Sequence, residues 1–328
     1  MMIRRRDFAF TPACLAALGL AGALPARAQA AFPSKQMTIV VPASPGGAID
    51  LAARLIGQKL VEQWGQPVVV DNKTGATGII GTDFVAKSAP DGHTLALVAS
   101  SHAINPSMVK KLPFDTLKSF EPVVQTHVVP LVLVVAPSFP AKNLKELIAY
   151  GKANPGKLSF ASSGSGGAPH FSGELFKSMA GIDMIHIPYK GSTLAHPDLL
   201  SGRVSLMFDT LAAISTQVKA GGLRAIAVTT PKRIAMLPDV PTMAEAGLPG
   251  YETSTWGGLL APAGTPRPVV NKIATEVTRI LALPDIKQRL TDAGVEPVGG
   301  TPEQFAAFIA KEMGKWAQVA KAAGIQPE

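Results

Sequence analysis

Cysteine is nearly absent. Cys14 is the only one in 328 residues, which excludes an intramolecular disulfide and a cysteine-based zinc site. Aromatic residues make up 6% of the chain and are mostly scattered phenylalanines, too sparse for the stacking platforms of a single-strand nucleic-acid binder. Charged residues reach only 16% against 47% hydrophobic, a balance that excludes a disordered chain. No run of five or more basic residues occurs, so nucleic-acid binding has little support. The six histidines show no HxxxH or other close pairing, which argues against a metal site. No cofactor is expected. What remains is a chain long enough for one large domain or two of about 150 residues, with roughly three quarters of its unfolded surface available for burial.

The first residues read as an address. Arg4-Arg5-Arg6-Asp7-Phe8 precedes a small, apolar stretch from Ala9 to Leu24, and Ala26-Arg27-Ala28 closes it as a small-x-small cleavage signal. That is the tripartite order of a secretory signal peptide. The stretch contains Pro12 and falls short of the ~20 residues that span a bilayer. Arg5-Arg6-x-Phe8 is similar to a twin-arginine signal, with Arg4 where Ser or Thr is usual, so both Sec and twin-arginine export remain open. Residues 1–28 are expected to be removed, leaving an exported, periplasmic, cysteine-free protein. Their loss takes four arginines and one aspartate and lowers the net charge from +8 to +5. That modest excess is compatible with anionic solutes.

From residue 36 onward, short β-branched runs alternate with helical periods. Strands are expected at Met37–Val41, Val68–Asp71 and Thr94–Val98, with helices at Leu51–Trp64, closed by Gly65, and at Ile79–Ser88. This β-α-β-α-β order is the signature of a mostly parallel sheet covered by helices. Val128–Ala136 is a longer apolar run expected to pass between two lobes. A second α/β set follows, with helices at Asn143–Asn154 and Phe171–Ala180 and strands at Leu158–Ala161, Met184–Ile187, Val204–Phe208 and Leu223–Val228. Near Tyr251 a second crossing appears, and two carboxy-terminal helices start at Thr265-Pro266 and Thr301-Pro302-Glu303-Gln304, each with a hydroxyl cap before proline. These helices are expected to pack back on the first lobe. The resulting expectation is an α/β protein of two lobes and two chain crossings, with a cleft between them. Lobe one is 29–130 plus 248–328 and lobe two is 131–247.

Open α/β sheets bind ligands at the turns after their strands. The first such turn, Pro42-Ala43-Ser44-Pro45-Gly46-Gly47-Ala48-Ile49-Asp50, lets the backbone approach a ligand at the start of a helix, where free N–H groups and the dipole favour an anion. Asp50 is better placed to cap those amides than to meet an anion. The second, Ser162-Ser163-Gly164-Ser165-Gly166-Gly167-Ala168-Pro169-His170, offers three hydroxyls among its glycines. It is neither a nucleophile elbow nor a P-loop. Gly75-x-x-Gly78-x-x-Gly81 has the wrong spacing for a dinucleotide fingerprint. Ser100-Ser101-His102 with Asn105, Tyr189-Lys190-Gly191-Ser192 and Phe208-Asp209-Thr210 close further strands. Here His102 and Lys190 read equally well as ligand contacts and as ordinary structural or solvated residues, and His170 reads best as a helix-start hydrogen-bonder.

At these loops the sequence resembles the Bug (TctC-like) family of periplasmic solute-binding proteins that serve tripartite tricarboxylate transporters. The resemblance runs from about Phe32 to Glu328. It is carried by VPASPGGAID, QPVVVDNKTGATGIIGTDFVAKSAPDGHTL, SHAINPSM, ELIAYGKANPGKLSFASSGSGG, ELFKSMAGIDMIHIPYKGS, LMFDT, LPDVPTMAEAGLPGYE and GLLAPAGTP. It implies a type II periplasmic-binding-protein fold whose lobes close on one small solute. It also implies that a carboxylate is gripped by backbone amides, hydroxyls and waters, without an arginine. The positions it implies are Ser44, Pro45, Gly46 and Gly47 in lobe one and Ser162, Ser163, Gly164, Ser165 and Gly166 in lobe two. Ser100, Ser101, His102, Tyr189, Asp209 and Thr255 are the implied cleft neighbours, and Asp50 and His170 of the two loops are counted with the candidate site. The implied ligands are di- and tricarboxylates, acidic amino acids, aromatic acids and some neutral amides, and the expected partners are the large and small membrane subunits of a transporter, with the chain itself a monomer. The sequence departs from the family pattern at Ala43-Ser44 and at Ser192-Thr193-Leu194-Ala195-His196-Pro197-Asp198, so contacts by Ser192 or Thr193 do not carry over.

Two other classes stand beside this reading: a ligand-sensing subunit for a signalling partner, which would use the same cleft, and an exported α/β hydrolase built on Ser165 or His170. Against the hydrolase, no base and orienting acid stand at recognisable spacing.

Overall fold

Helical and strand signals of the sequence resolve into two similar halves. The computed structural model describes residues 32–327, so the signal expected over 1–28 lies outside the described residues. The first half runs β1 (Met37–Val41), α1 (Ala48–Trp64), β2 (Val68–Asn72), α2 (Ile79–Ala86), β3 (Thr94–Ala99) and the short α3 (Ser101–Ile104). In α1, Ala52, Leu55, Ile56 and Leu60 share the buried face, and Gly65 ends the helix in the left-handed region at φ 67°. The long β4 (Phe120–Val135) follows. The second half runs α4 (Leu144–Ala153), β5 (Leu158–Ser162), α5 (Ala168–Ala180), β6 (Met184–Pro188), α6 (His196–Leu200), β7 (Leu206–Thr210), α7 (Leu211–Lys219) and β8 (Arg224–Val228). The chain returns through β9 (Ser254–Pro262) and ends with α8 (Arg267–Leu281), α9 (Pro284–Asp292), β10 (Glu296–Pro297) and α10 (Pro302–Ala322).

Pairing gives each half the same plan. β1 lies parallel between β2 and β3, and β9 runs antiparallel between β3 and β4. In the second half β5 lies parallel between β6 and β7, and β4 runs antiparallel between β7 and β8. Each lobe therefore has strand order 2-1-3-n-4, where n is the strand that arrives from the other lobe. This is the two-lobe architecture the sequence resemblance implies.

β4 does the crossing. Its residues up to Pro130 pair with β9, and Leu131 to Val135 pair with β7. Proline lacks the N–H a ladder needs, so Pro130 falls where the partner changes. Behind it the Thr229 hydroxyl lies 3.0 Å from the Leu131 carbonyl and 2.6 Å from the Thr253 carbonyl, touching both crossing segments.

Three details depart from the sequence expectations. β4 begins at Phe120, well before Val128, because its first part alternates half-buried Glu121, Gln125 and Val128 with buried residues and does not read as a continuous apolar run. Three helices, not two, close the chain. Thr265 caps nothing: Pro266 is the N-cap of α8, and the Thr265 hydroxyl donates to the Pro262 carbonyl at 2.7 Å. Thr301 does form the expected capping box with Gln304.

α8 and α9 pack on the first lobe with α1 and β1. α10 also reaches the second lobe, where Trp316 meets Phe171 of α5 edge-on at 5.7 Å. The buried Glu312 carboxylate accepts the indole N–H groups of Trp256 and Trp316 at 3.1 and 3.0 Å and ties α10 to β9.

Candidate functional site

Strand order reverses at β1/β3 in lobe one and at β5/β7 in lobe two. A crevice opens outside the carboxyl ends of strands at such points. The loops there are the ones singled out by their Gly, Ser and Thr content.

After β1, residues Ser44, Pro45, Gly46 and Gly47 are all exposed. Gly46 sits at φ 88°, and Gly47 is the N-cap of α1 with no side chain capping the helix. The first amides of a 17-residue helix are thus left to a ligand or to solvent. Asp50 is buried. Its Oδ2 accepts from Gly46 N–H at 3.0 Å and Arg54 Nε at 2.9 Å, and its Oδ1 accepts from Asn72 Nδ2 at 3.0 Å. Burial alone would raise the Asp50 pKa, but hydrogen bonds from Arg54, Gly46 and Asn72 together outweigh it and hold the carboxyl below its usual range. Asp50 shapes the loop, as a cap would, and Asn72 adds a bond to the Ala43 carbonyl at 3.1 Å.

The turn after β2 joins this group, though its spacing gave no signal. Gly75, Ala76, Thr77 and Gly78 all have positive φ, at 127°, 47°, 52° and 88°. Ala76 and Thr77 carry the positive-φ strain among the described non-glycine residues, and a β-branched residue there is a marked outlier. The turn is pinned by Asn105 Nδ2, which donates to the Thr77 carbonyl at 3.3 Å. A Cβ on Gly78 would lie 3.4 Å from Pro42 and 3.8 Å from the Ser101 hydroxyl, so the loops after β1, β2 and β3 meet here.

After β3, the Ser100 hydroxyl bonds Thr255 of β9 at 3.0 Å. His102 is no cleft residue. It is buried between Phe114 and Phe120, with Nε2 3.1 Å from the Thr116 carbonyl, and burial pushes its pKa down to about 4. One turn further, Met108 would lie 3.7 Å from a Cβ on Gly166, so the two lobes touch at that point.

In lobe two, Ser163 and Ser165 are exposed, and Gly167 is the N-cap of α5, again without a side-chain cap. Ser162 is fully buried: its hydroxyl donates to the Gly164 carbonyl at 2.9 Å and meets His186 Nε2 at 2.7 Å. With the hydroxyl proton on Gly164, His186 must carry its own proton on Nε2. His170 accepts the Gly166 N–H on Nδ1 at 3.3 Å and stacks on His186 with ring centres 3.9 Å apart. Burial, then the charges of His186 and Lys177, pushes the His170 pKa to about 3. Burial, then Lys177, pushes that of His186 to about 4. His170, buried, therefore braces the Ser/Gly loop through the Gly166 N–H. Sequence reading had no signal for His186.

Two further expected contacts are engaged within the protein. The Tyr189 hydroxyl donates to Asp198 Oδ2 at 2.7 Å. Asp209, 1% exposed, accepts Ser192 Oγ–H and His196 Nε2–H (2.8 Å) on Oδ2, and the Thr210 N–H at 2.7 Å on Oδ1. Neither His102, His170, Ser162 nor Asp209 has a side chain open to a ligand. The exposed groups the structure brings to the loop mouths are the Ser44–Gly47 backbone, Ser163 and Ser165.

Two hollows of the surface lie elsewhere, one of about 700 Å³ under Pro106–Ser119 and one of about 390 Å³ beside Thr230, Glu252 and Phe308. The strand-end loops are the candidate site because α1 and α5 begin there without a side-chain cap, and a helix start favours an anion. Among the described residues no group of His, Asp and Glu is arranged to hold a metal, and no helix is long and apolar enough to cross a membrane.

Two α/β lobes joined by paired crossing segments, each with an uncapped helix start after its first strand, have the architecture of a solute-binding receptor. Residues 52–325 match the family described as the tripartite tricarboxylate transporter family receptor, TctC. The chain is 38% identical to protein BugT of Bordetella pertussis over 295 residues, covering 89% of this chain and 90% of that one. Among solved structures it is similar to R. palustris Rpa4515 with adipate (39% identity, TM-score 0.79, 90% of this chain and 100% of that one). It is likewise similar to MatC from Rhodopseudomonas palustris with bound malate (34% identity, TM-score 0.74, 88% and 99%). The chain belongs to the Bug/TctC family of periplasmic solute-binding proteins.

Proposed function

We propose that this chain captures a small carboxylate-bearing metabolite between its lobes in the periplasm and delivers it to the membrane subunits of a tripartite tricarboxylate-type transporter. It acts as a monomeric receptor without catalysis. In this reading lobe one is 29–130 plus 248–328, lobe two is 131–247, and residues 1–28 are the export signal. The observation that carries the proposal is the pair of uncapped, glycine-led helix starts at equivalent places: Gly47 before α1 and Gly167 before α5. Each supplies a positive dipole end and first-turn amides, fewer in α5 because Pro169 has no N–H, worth about 0.3–1 kcal/mol for a nearby anion and up to about 2 where partly buried. Ser44, Ser163 and Ser165 add hydroxyls. A solute bridging both lobes favours closure only by the contacts that are better in the closed state. The adipate- and malate-bound relatives support a carboxylate as ligand.

The test is a thermal-shift screen of acids against their neutral amides. A ligand at 100 times its Kd adds about 2.7 kcal/mol to stability. A saturable shift with an acid and none with its amide is expected. Shifts with amides but no acid would refute the carboxylate reading.

A further inference from the structure

Each lobe holds its helix-start loop with a side chain from the first turn of the helix. In lobe one Gly46 (φ 88°) gives its N–H to the Asp50 carboxylate, four residues on, at 3.0 Å. In lobe two Gly166 (φ 78°) gives its N–H to His170 Nδ1, again four residues on, at 3.3 Å. Lobe two adds a second tie from a separate strand. His186 of β6 meets the Ser162 hydroxyl at 2.7 Å, and that hydroxyl donates to the Gly164 carbonyl and accepts the Gly164 N–H at 3.3 Å. The one donor and two acceptor positions of Ser162 are then all used. The two imidazoles stack with centres 3.9 Å apart, and His186 lies in turn on Phe160 at 4.8 Å. The Gly164 and Gly166 amides are thus spent inside the protein. Those of Ser163, Ser165 and Gly167 have no partner among the described residues.

We propose that His170 and His186 are positioning residues for the solute: stacked on each other, they hold alternate amides of the Ser/Gly loop inside lobe two and leave those of Ser163, Ser165 and Gly167 to a ligand. This rests on the carboxylate reading of the cleft and adds what keeps the loop in shape. His186 acts through Ser162, and His170 acts through Gly166. Both tasks require the same tautomer, with the proton on Nε2, because His170 accepts on Nδ1 and His186 donates from Nε2. Burial keeps both rings neutral at pH 7.

Nuclear magnetic resonance of the solute-free wild-type protein is the first test. Relative to their intrinsic rates, the Gly164 and Gly166 amides are expected to exchange at least about tenfold more slowly than those of Ser163 and Ser165. The imidazole nitrogen shifts are expected to show both rings neutral and protonated on Nε2. Equal exchange in the two sets, or an Nδ1–H tautomer on His170, overturns the proposal. Calorimetry with adipate and L-malate then compares paired substitutions. His186→Phe keeps the stack and loses the donor, whereas His186→Gln keeps an N–H near the place of Nε2. His170→Leu loses the acceptor, whereas His170→Asn keeps an oxygen near the place of Nδ1. The Phe and Leu variants are expected to bind about tenfold more weakly, the scale of one lost hydrogen bond, and the Gln and Asn variants within about threefold of wild type. A purely structural role would lower the urea midpoint and leave the affinity of the folded protein alone. Wild-type affinity in the Phe and Leu variants, or an equal loss in all four, therefore overturns the assignment. If the wild-type protein binds neither of these acids nor any other in the screen, the carboxylate reading falls, and the exchange and tautomer measurements still decide the brace. They decide it equally if a variant fails to fold.

Discussion

Lowering the pH from 7 to 5 should destabilise this protein steeply, and the structure sets the size of the loss. His102, His127 and His170 are 3%, 2% and 6% exposed, and burial holds their pKa values at about 4, about 4 and about 3. In the unfolded chain each returns to an ordinary value near 6.5. As the pH falls through 6.5 the unfolded state therefore takes up protons that the folded state refuses, and stability falls. Across this window each histidine costs about 2 kcal/mol, and the three together with His186, held at about 4 by burial and Lys177, about 8. The result depends little on the exact folded values, because anything at or below about 4 leaves the native rings neutral at pH 5. Carboxylates such as Asp50, held low in the fold, act in the same direction but only below about pH 5, where unfolded carboxyls begin to protonate. Urea denaturation at half-unit steps of pH gives the proton uptake on unfolding directly from the slope. Close to four protons are expected near pH 5, and His102→Phe should remove one of them by replacing an imidazole between Phe114 and Phe120 with a third phenyl ring. Uptake of less than one proton over this range would refute the assignment of these rings as buried and neutral.

Two other substitutions test the architecture and the site. Gly258→Ala places a methyl group into the ring of Phe305, which packs on β9, so a loss of about 1–3 kcal/mol is expected by thermal or urea melting. A stability within about 0.5 kcal/mol of wild type would show that Phe305 can move aside. Asp50→Ala releases the Gly46 amide, Arg54 and Asn72 at once, and should weaken the solute about tenfold while costing about 1–3 kcal/mol in stability; unchanged affinity would show that the Ser44–Gly47 loop holds its shape without it.

The strand and helix order was legible because period, glycine stops and capping residues are local signals. Asn143 illustrates it: the side chain accepts the Glu146 N–H just where the sequence places the start of a helix. Side-chain direction at the strand ends was not legible, because it depends on partners far along the chain. β7 is buried throughout up to Asp209, so no alternation reveals which way that carboxylate points. Its partners Ser192 and His196 lie in a turn whose geometry the sequence left open. Ser162 and His102 show the same limit: a hydroxyl or imidazole in a turn after a strand reads as an open group until His186 and Thr116 are seen to hold it. The pair Asp50 and Arg54, four residues apart on α1, was a signal available from sequence that the loop's glycines overshadowed.

The two lobes share a backbone plan but no visible sequence repeat, and the exchange of polarity between equivalent positions explains why. Gly75 (φ 127°, ψ 149°) and Gly191 (φ 123°, ψ 153°) open the same turn after the second strand of each lobe. Ala76 follows the first and Ser192 the second. Registers pairing Val40 with Ala96 and Ala161 with Met207 make Val98 the counterpart of Asp209. Lobe two thus closes its turn with a hydroxyl–carboxylate–imidazole contact where lobe one has only Ala76 and Val98. Lacking that contact, lobe one carries its turn on through Ala76 and Thr77 at positive φ and anchors it by Asn105 from the neighbouring loop. The same geometry is held once by polar contacts and once by a strained backbone, so no residue-by-residue repeat survives. The strained turn stands beside the Ser44–Gly47 loop, so lobe one is the half whose loops should reorder most when a solute arrives, and amide exchange at Thr77 and Gly78 should slow on ligand binding more than at Thr193 and Leu194.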